Sequence, residues 1–572
     1  MPKGATGSII GIGAVIALGA LIAFVPVLAP GAIHRFFPTG GEGKVPPSGM
    51  DHVAIDDARF GESVRPGPNS PAIDNTTRTA AIPEIELPEP TPAAPGQADA
   101  TLLKSGLDAL AAGDIDTARD SRDRLPTDAL DRHILDWAMA LSGDPAVRSG
   151  EVAAAMTELS QWPGEQTLRR NLERALYRER AEPQTVIDTL GKDEPQTVQG
   201  IRALARAYLA VGKPEQAHAV LSPFWRTELL EPTEELAIVK EFGAVLSTED
   251  HRVRMERMFY AERPKAGLRM ASLADAKELA DAWAAVLRKD KQAKKLLDAV
   301  PESQRSAGYL FATAKYLRHK NNFAEAAATM MKAPRDKTAL VDPDEWWVER
   351  RILSRDLVDG GDVKTAYQLV AAHSAETASN VVEAEFHAGW YALRGLRDPK
   401  TAARHFAAIA AVANGPASLS RAYYWLGRAA EAGGGGDANT YFKTAARYGT
   451  AFYGQLAAAR IGSTTIPVVS PAASASDAFA FEQREAVRAI RRLEDAGYPS
   501  RAEILYRDLA DQLGSPGELA LLAAMAEKRG NHYLALRVAK IAAGRGLDIG
   551  ALTPPVGVIP ASADISGAGM TL

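Results

Sequence analysis

One block of the chain concentrates side chains suited to holding a flat, hydroxylated ligand. Between Arg421 and Gly462 it reads RAYYWLGRAAEAGGGGDANTYFKTAARYGTAFYGQLAAARIG. It carries Tyr423, Tyr424, Trp425, Tyr441, Phe442, Tyr448, Phe452 and Tyr453, so five of the chain's 15 tyrosines fall in this block. Aromatic side chains bring a large apolar face, and tyrosine and tryptophan add a polar handle at one edge. Such a cluster can stack on sugar rings. The same residues also read as the packed core of two helical hairpins, with the tyrosine hydroxyls at the rim. Spacing alone favours packing. The candidate ligand-binding residues are Tyr423, Tyr424, Trp425, Tyr448, Phe452 and Tyr453, and both readings stay open.

Other chemistry has little support. The chain has no cysteine, which excludes disulfide scaffolds, thiolate metal sites and thiol nucleophiles. Its ten histidines include no His-x-x-x-His pair and no HExxH, so no metal is expected and they read as surface or packing residues. Gly433 to Gly436 has no preceding strand and no following Gly-Lys-Ser/Thr, so it reads as a hairpin turn and not a phosphate loop. No cofactor is expected. The basic runs Arg288, Lys289, Lys291, Lys294, Lys295 and Arg484, Arg488, Arg491, Arg492 are interleaved with acids and read as solvated helix faces.

The elements that must position the aromatic block are helices. Ile201, Leu204, Ala205, Tyr208 and Leu209 recur at the spacing of one helix face, Gly212-Lys213-Pro214 ends that helix, and Ala217, Val220, Leu221 and Phe224 begin another. The same grammar returns at Tyr309 to Met331, Arg350 to Val370 and Glu383 to Ile409. Turns are predicted near 321, 361, 397, 435, 497 and 530. These spacings approximate the period of TPR-like helix pairs. The one β-like run, Thr464 to Val469, is broken by Pro467 and reads as a loop. The expected fold is all-α: a TPR-like α-α superhelix or ring, in which neighbouring hairpins bury one another's apolar faces.

At AYYWLGRAAEA and FYGQLAAARIG the chain resembles the superhelical domain of the soluble lytic murein transglycosylases. Glu485 to Leu513 looks like that family's linker-helix region, and His532 to Pro560 like the stretch leading into its catalytic domain. The resemblance is strong from about 421 to 569 and only architectural from 100 to 420. It implies a doughnut of helices that embraces peptidoglycan glycan strands and supports a lysozyme-like catalytic domain. In that domain one glutamate, acting as acid and then base, would cleave the MurNAc–GlcNAc bond to an anhydromuramyl product. The family's R-Q-E-S-x-F and G-L-M-Q stretches do not occur here. Glu302-Ser303 lacks their context. No catalytic residue is assigned, and the expectation is a chain inactive alone, its catalytic domain encoded separately or downstream, or else lost or truncated. The alternative is a TPR-like scaffold binding protein partners of the cell-envelope machinery.

The ends are read separately. Gly4 to Ile33 contains no charged residue, and Ser8 to Ala29 is long enough to span a bilayer. Residues 1–37 are therefore expected to be a transmembrane anchor or a cleaved signal, which would place the protein in the periplasm, held at the inner membrane if the anchor is retained. Residues 38–98 hold 11 of the 35 prolines and a charge of −5, and read as an extended acidic tether. The remaining domains are expected at 99–462 (superhelical repeats), 463–480 (loop), 481–550 (linker helices) and 551–572 (tail at the start of a catalytic domain). With a net charge of −5 for the whole chain and a nearly neutral array, no nucleic-acid partner is expected.

Overall fold

A computed structural model describes residues 100–463 and 471–547. The expected anchor, tether and C-terminal tail, and the β-like run at 464–469, lie outside the described residues. Those described form 28 α-helices, a 3₁₀ turn at Glu302–Gln304 and a π-helical turn at Tyr391–Gly395, with no strand among them. None of these helices is long and apolar enough to cross a membrane.

The hairpin grammar has a consistent physical basis. In the pair Val198–Ala210 and Pro214–Thr227, Ile201, Leu204, Ala205, Ala217 and Leu221 are buried. The first helix ends where Lys213 N–H donates to the Tyr208 carbonyl, a turn that requires the left-handed φ of 74° at Gly212. Proline at the first position of the second helix loses no needed N–H. After several turns an aspartate is the N-cap of the next helix. Asp362, Asp398 and Asp437 accept hydrogen bonds from the backbone N–H groups of Thr365, Thr401 and Thr440 at 3.0, 3.0 and 2.8 Å.

Close helix approach explains the small residues. A Cβ on Gly389 would lie 2.5 Å from the Phe406 ring, and one on Gly427 would lie 2.6 Å from the Phe442 ring. Arginine–carboxylate pairs about one repeat apart tie neighbouring hairpins together. Arg318 reaches Glu349 (3.1 Å at Nη2), and Arg460 reaches Glu431 (2.7 Å). The basic run at 484–492 belongs to this system and is not simply a solvated face. Arg484 pairs with Glu518, Arg491 with Glu482 and Arg492 with Asp131, while only Arg488 is exposed without a pair in this run. The earlier run from Arg288 to Lys295 is exposed, with Lys294 held by Asp298 on the same helix.

The first and last hairpins share one core. Leu107, Ile134 and Trp137 belong to the same buried cluster as Val487, Ile490 and Leu493. Around that seam the His133 ring bonds Glu485 (2.9 Å), Trp162 Nε1–H donates to Glu485 (3.0 Å), and the Tyr498 hydroxyl donates to Asp108. The array of described residues thus closes on itself, a point on which periodicity is silent. Part of the stretch expected to be a loop is also helical. Ser474 and Asp477 form a reciprocal capping box that starts the helix Ala475–Gln483, which buries Phe481.

Candidate functional site

The aromatic block is carried by the helices Pro416–Glu431, Ala438–Ala446 and Phe452–Arg460. The structure divides the candidate residues. Tyr424 is 7% exposed and packs on Phe442 (5.7 Å between ring centroids) and Tyr453 (5.4 Å). Tyr423, Trp425, Tyr448 and Tyr453 are half-buried, and Phe452 is 57% exposed. Burial raises the Tyr448 and Tyr453 phenols, so both keep their protons at neutral pH. Tyr424 is core; Tyr423, Trp425 and Tyr453 pack at its edge, and Phe452 extends into solvent.

That edge continues across earlier repeats. In each hairpin the leading helix contributes one turn to a common strip, running from Pro343–Asp359 through Ala378–Trp390 and Pro416–Glu431 to Phe452–Arg460. Phe452 meets Tyr453 (5.2 Å), Tyr453 meets Trp425 (6.5 Å), and Trp425 meets Phe386 edge-on (6.0 Å). The Arg421 guanidinium lies 4.6 Å from the Phe386 ring centre, a cation–π arrangement. Beyond it stand Glu383, His387, Arg351 and Arg355.

The electrostatics of this end are specific. Glu383 faces Arg421 (3.3 Å), Arg351 (3.8 Å) and His387 (4.0 Å). Burial pushes its carboxyl up, but Arg421, His387 and Arg351 outweigh that and hold it below its ordinary value. His387 Nδ1–H donates to the Glu383 carbonyl (2.8 Å), leaving Nε2 as an acceptor for Arg355 (3.4 Å). Burial, reinforced by the nearby guanidiniums of Arg355 and Arg351, lowers the imidazole to about 4, so it is neutral at pH 7. On the opposite side of the same helix, Glu385 bonds His373 (3.2 Å) and His405 (2.6 Å), and His405 contacts the Tyr367 hydroxyl (3.3 Å). Burial opposes ionisation of Glu385, yet the two imidazole hydrogen bonds hold it at about 2.

Arg351, Arg355, Glu383, Phe386 and His387 were not singled out from the sequence, although Arg351/Arg355 and Glu383/His387 each fall four apart on one helix face. No group of three or more histidine, aspartate or glutamate side chains has metal-holding geometry among the described residues. At the seam, a groove of about 550 Å³ is lined by Leu103, Lys104, Arg492, Asp495, Gly497 and Tyr498. Its charges are already paired, Lys104 with Asp108, Arg492 with Asp131 and Asp495 with Arg529.

This fold, a closed array of helical hairpins with a polar–aromatic strip along its leading helices, defines an α-α superhelical module. The helical fold is shared with soluble lytic transglycosylases of known structure. The 70-kDa soluble lytic transglycosylase of Escherichia coli is 16% identical, matching 79% of this chain and 71% of its own with a TM-score of 0.50. A complex of that class of enzyme with bulgecin A matches at 16% identity, 78% and 71% coverage and a TM-score of 0.50. An inactive variant of the Pseudomonas aeruginosa enzyme is 18% identical, with 78% and 72% coverage and a TM-score of 0.45. No protein-family model and no curated protein sequence matches the chain.

Proposed function

We propose that this array is a peptidoglycan-binding and supporting module of the lytic-transglycosylase type, holding glycan strands along the strip from Phe452 to Arg355. The observation that carries the reading is the continuity of that strip: aromatic faces at one end and guanidiniums at the other, on four successive leading helices. Aromatic faces suit the rings of a glycan, and fixed polar groups suit its substituents. The fold shared with a soluble lytic transglycosylase supports the reading. Tyr423, Trp425, Tyr448, Phe452 and Tyr453 are proposed as contacts, with Tyr424 supporting them from below. Export by the apolar N-terminal stretch, and anchoring at the inner membrane if that stretch is kept, belong to the proposal on sequence grounds alone.

The test is co-sedimentation of the purified chain with insoluble peptidoglycan. Retention of the wild type, reduced at least several-fold by the double substitution Phe452→Ala/Tyr453→Ala, is expected. Absence of retention overturns the proposal. Capture of envelope proteins by a chain that ignores peptidoglycan would favour the scaffold alternative.

A further inference from the structure

The guanidinium end of the strip carries an unmatched positive charge. Arg351 and Arg421 share a single carboxylate, Glu383, and Arg355 stands beside them against the His387 ring. Arg421 and Arg351 both face Glu383. Arg355 is exposed, and its hydrogen-bond partner is the His387 ring nitrogen at 3.4 Å, which brings no negative charge. Other groups facing the cluster leave the surplus in place. Arg428 pairs with Glu431 (3.3 Å), and Glu431 also takes Arg460. Glu345, earlier on the helix that carries Arg351 and Arg355, is half-buried beside Asp342 and holds its proton to about pH 7. The chain as a whole is acidic, at −5, so a local cationic surplus on an aromatic strip is not a by-product of composition.

Its surroundings make the surplus selective. Phe386 lies under Arg421, Trp425 and Tyr453 follow within 6.5 Å steps, and the Tyr453 phenol feels the charges of Arg421 and Glu383. An anion seated at Arg355 would therefore continue into a ring resting on the aromatic steps. A planar guanidinium suits a carboxylate because it can offer two parallel N–H groups.

We propose that Arg355, backed by Arg351 and Arg421, is a carboxylate-recognition site that makes the strip selective for saccharides bearing acidic substituents over neutral ones. This rests on the glycan-binding reading above. It assigns the acidic substituent to the Arg355 end and the sugar faces to the Tyr453–Phe452 end. No bond is made or broken; Arg355 donates hydrogen bonds to the carboxylate oxygens.

The experiment compares three soluble probes on the full chain: peptide-free peptidoglycan strands with free lactyl carboxylates, the same strands with those carboxylates amidated, and neutral N-acetylglucosamine oligomers. Binding is read by calorimetry at 50 and 200 mM salt. The free-acid strands are expected to bind about 10-fold more tightly than the amidated strands, with the preference shrinking at 200 mM salt. Arg355→Gln should remove that preference, bringing the affinity for free-acid strands down to that for amidated ones, and Arg355→Lys should restore part of it. Arg355 is exposed, so an unchanged melting curve confirms that each variant is folded. Equal affinity for free-acid and amidated strands overturns this inference and leaves the glycan-binding reading standing. A preference that survives Arg355→Gln also overturns it. Failure of all three probes to bind overturns both.

Discussion

Arg492 and Asp131, 361 residues apart, face each other through two parallel hydrogen bonds of 2.7 Å each. The Asp131 side chain is 6% exposed, so the pair sits within the seam that joins the first hairpins to the last. Removing one partner leaves the other charge poorly solvated, which costs far more than an exposed ion pair contributes. Arg492→Ala is expected to lower unfolding stability by roughly 2–3 kcal/mol, with Asp131→Asn close behind. Denaturant unfolding checks this. A loss below about 0.5 kcal/mol for both would mean that the apolar core alone closes the array.

The repeat grammar was legible because each element of it is local. Asp362 and Asp437 cap the helices that follow them by accepting from N–H groups three residues on, and Gly212 or Gly497 supplies a left-handed turn at the helix end. Closure was not legible, because Asp131 and Arg492 are each ordinary charged helix residues until the chain is folded. The candidate site was half legible. Tyr423 to Tyr453 stand out by density, whereas Arg355, Glu383 and Phe386 join them only through packing between repeats. The same limit explains the misread basic run at 484–492, whose acidic partners, Glu518 and Asp131 among them, lie on other helices.

The glycine of the AYYWLGRAAEA helix has a packing reason. Gly427 is buried where Phe442 crosses, and any Cβ there would sit 2.6 Å from the ring. Gly427→Ala should therefore destabilise despite the better helix propensity of alanine, by about 1–3 kcal/mol from overpacking. Gly434→Ala is a poor control because it meets backbone, but Gly150→Ala, on the exposed side of the helix Ser149–Glu158, meets nothing within 4 Å and should be neutral or slightly stabilising. Thermal melts of the two variants decide the matter. A Gly427→Ala protein as stable as wild type would show that the helices can move apart without cost.

Glu345 gives the chain a pH dependence. Burial, together with Asp342, raises its carboxyl to about 7 from an ordinary 4.5. The folded state thus binds its proton more tightly than the unfolded chain does. The resulting stability is fully present below pH 4.5 and is lost as pH rises through 7. Glu345→Gln removes this titration, so the variant should gain on wild type between pH 5 and pH 8, by about 3 kcal/mol at most. Paired denaturation curves at the two pH values test it. A constant difference between variant and wild type at both would show that Glu345 is ionised throughout.

Stability and binding should separate within the aromatic block, and that separation decides between its two readings residue by residue. Tyr424 is 7% exposed against Phe442 and Tyr453, so Tyr424→Ala should cost about 3–5 kcal/mol of stability, a packing effect. Phe452 is 57% exposed, so Phe452→Ala should change stability by less than about 0.5 kcal/mol. If the strip binds glycan, that stable variant should nevertheless lose several-fold in retention on peptidoglycan. A Phe452→Ala protein unchanged in both properties would reduce the block to a core with one incidental exposed ring. A Phe452→Ala protein that unfolds would instead show that the ring packs in solution, since a side chain open to water on more than half its surface has little apolar contact to lose.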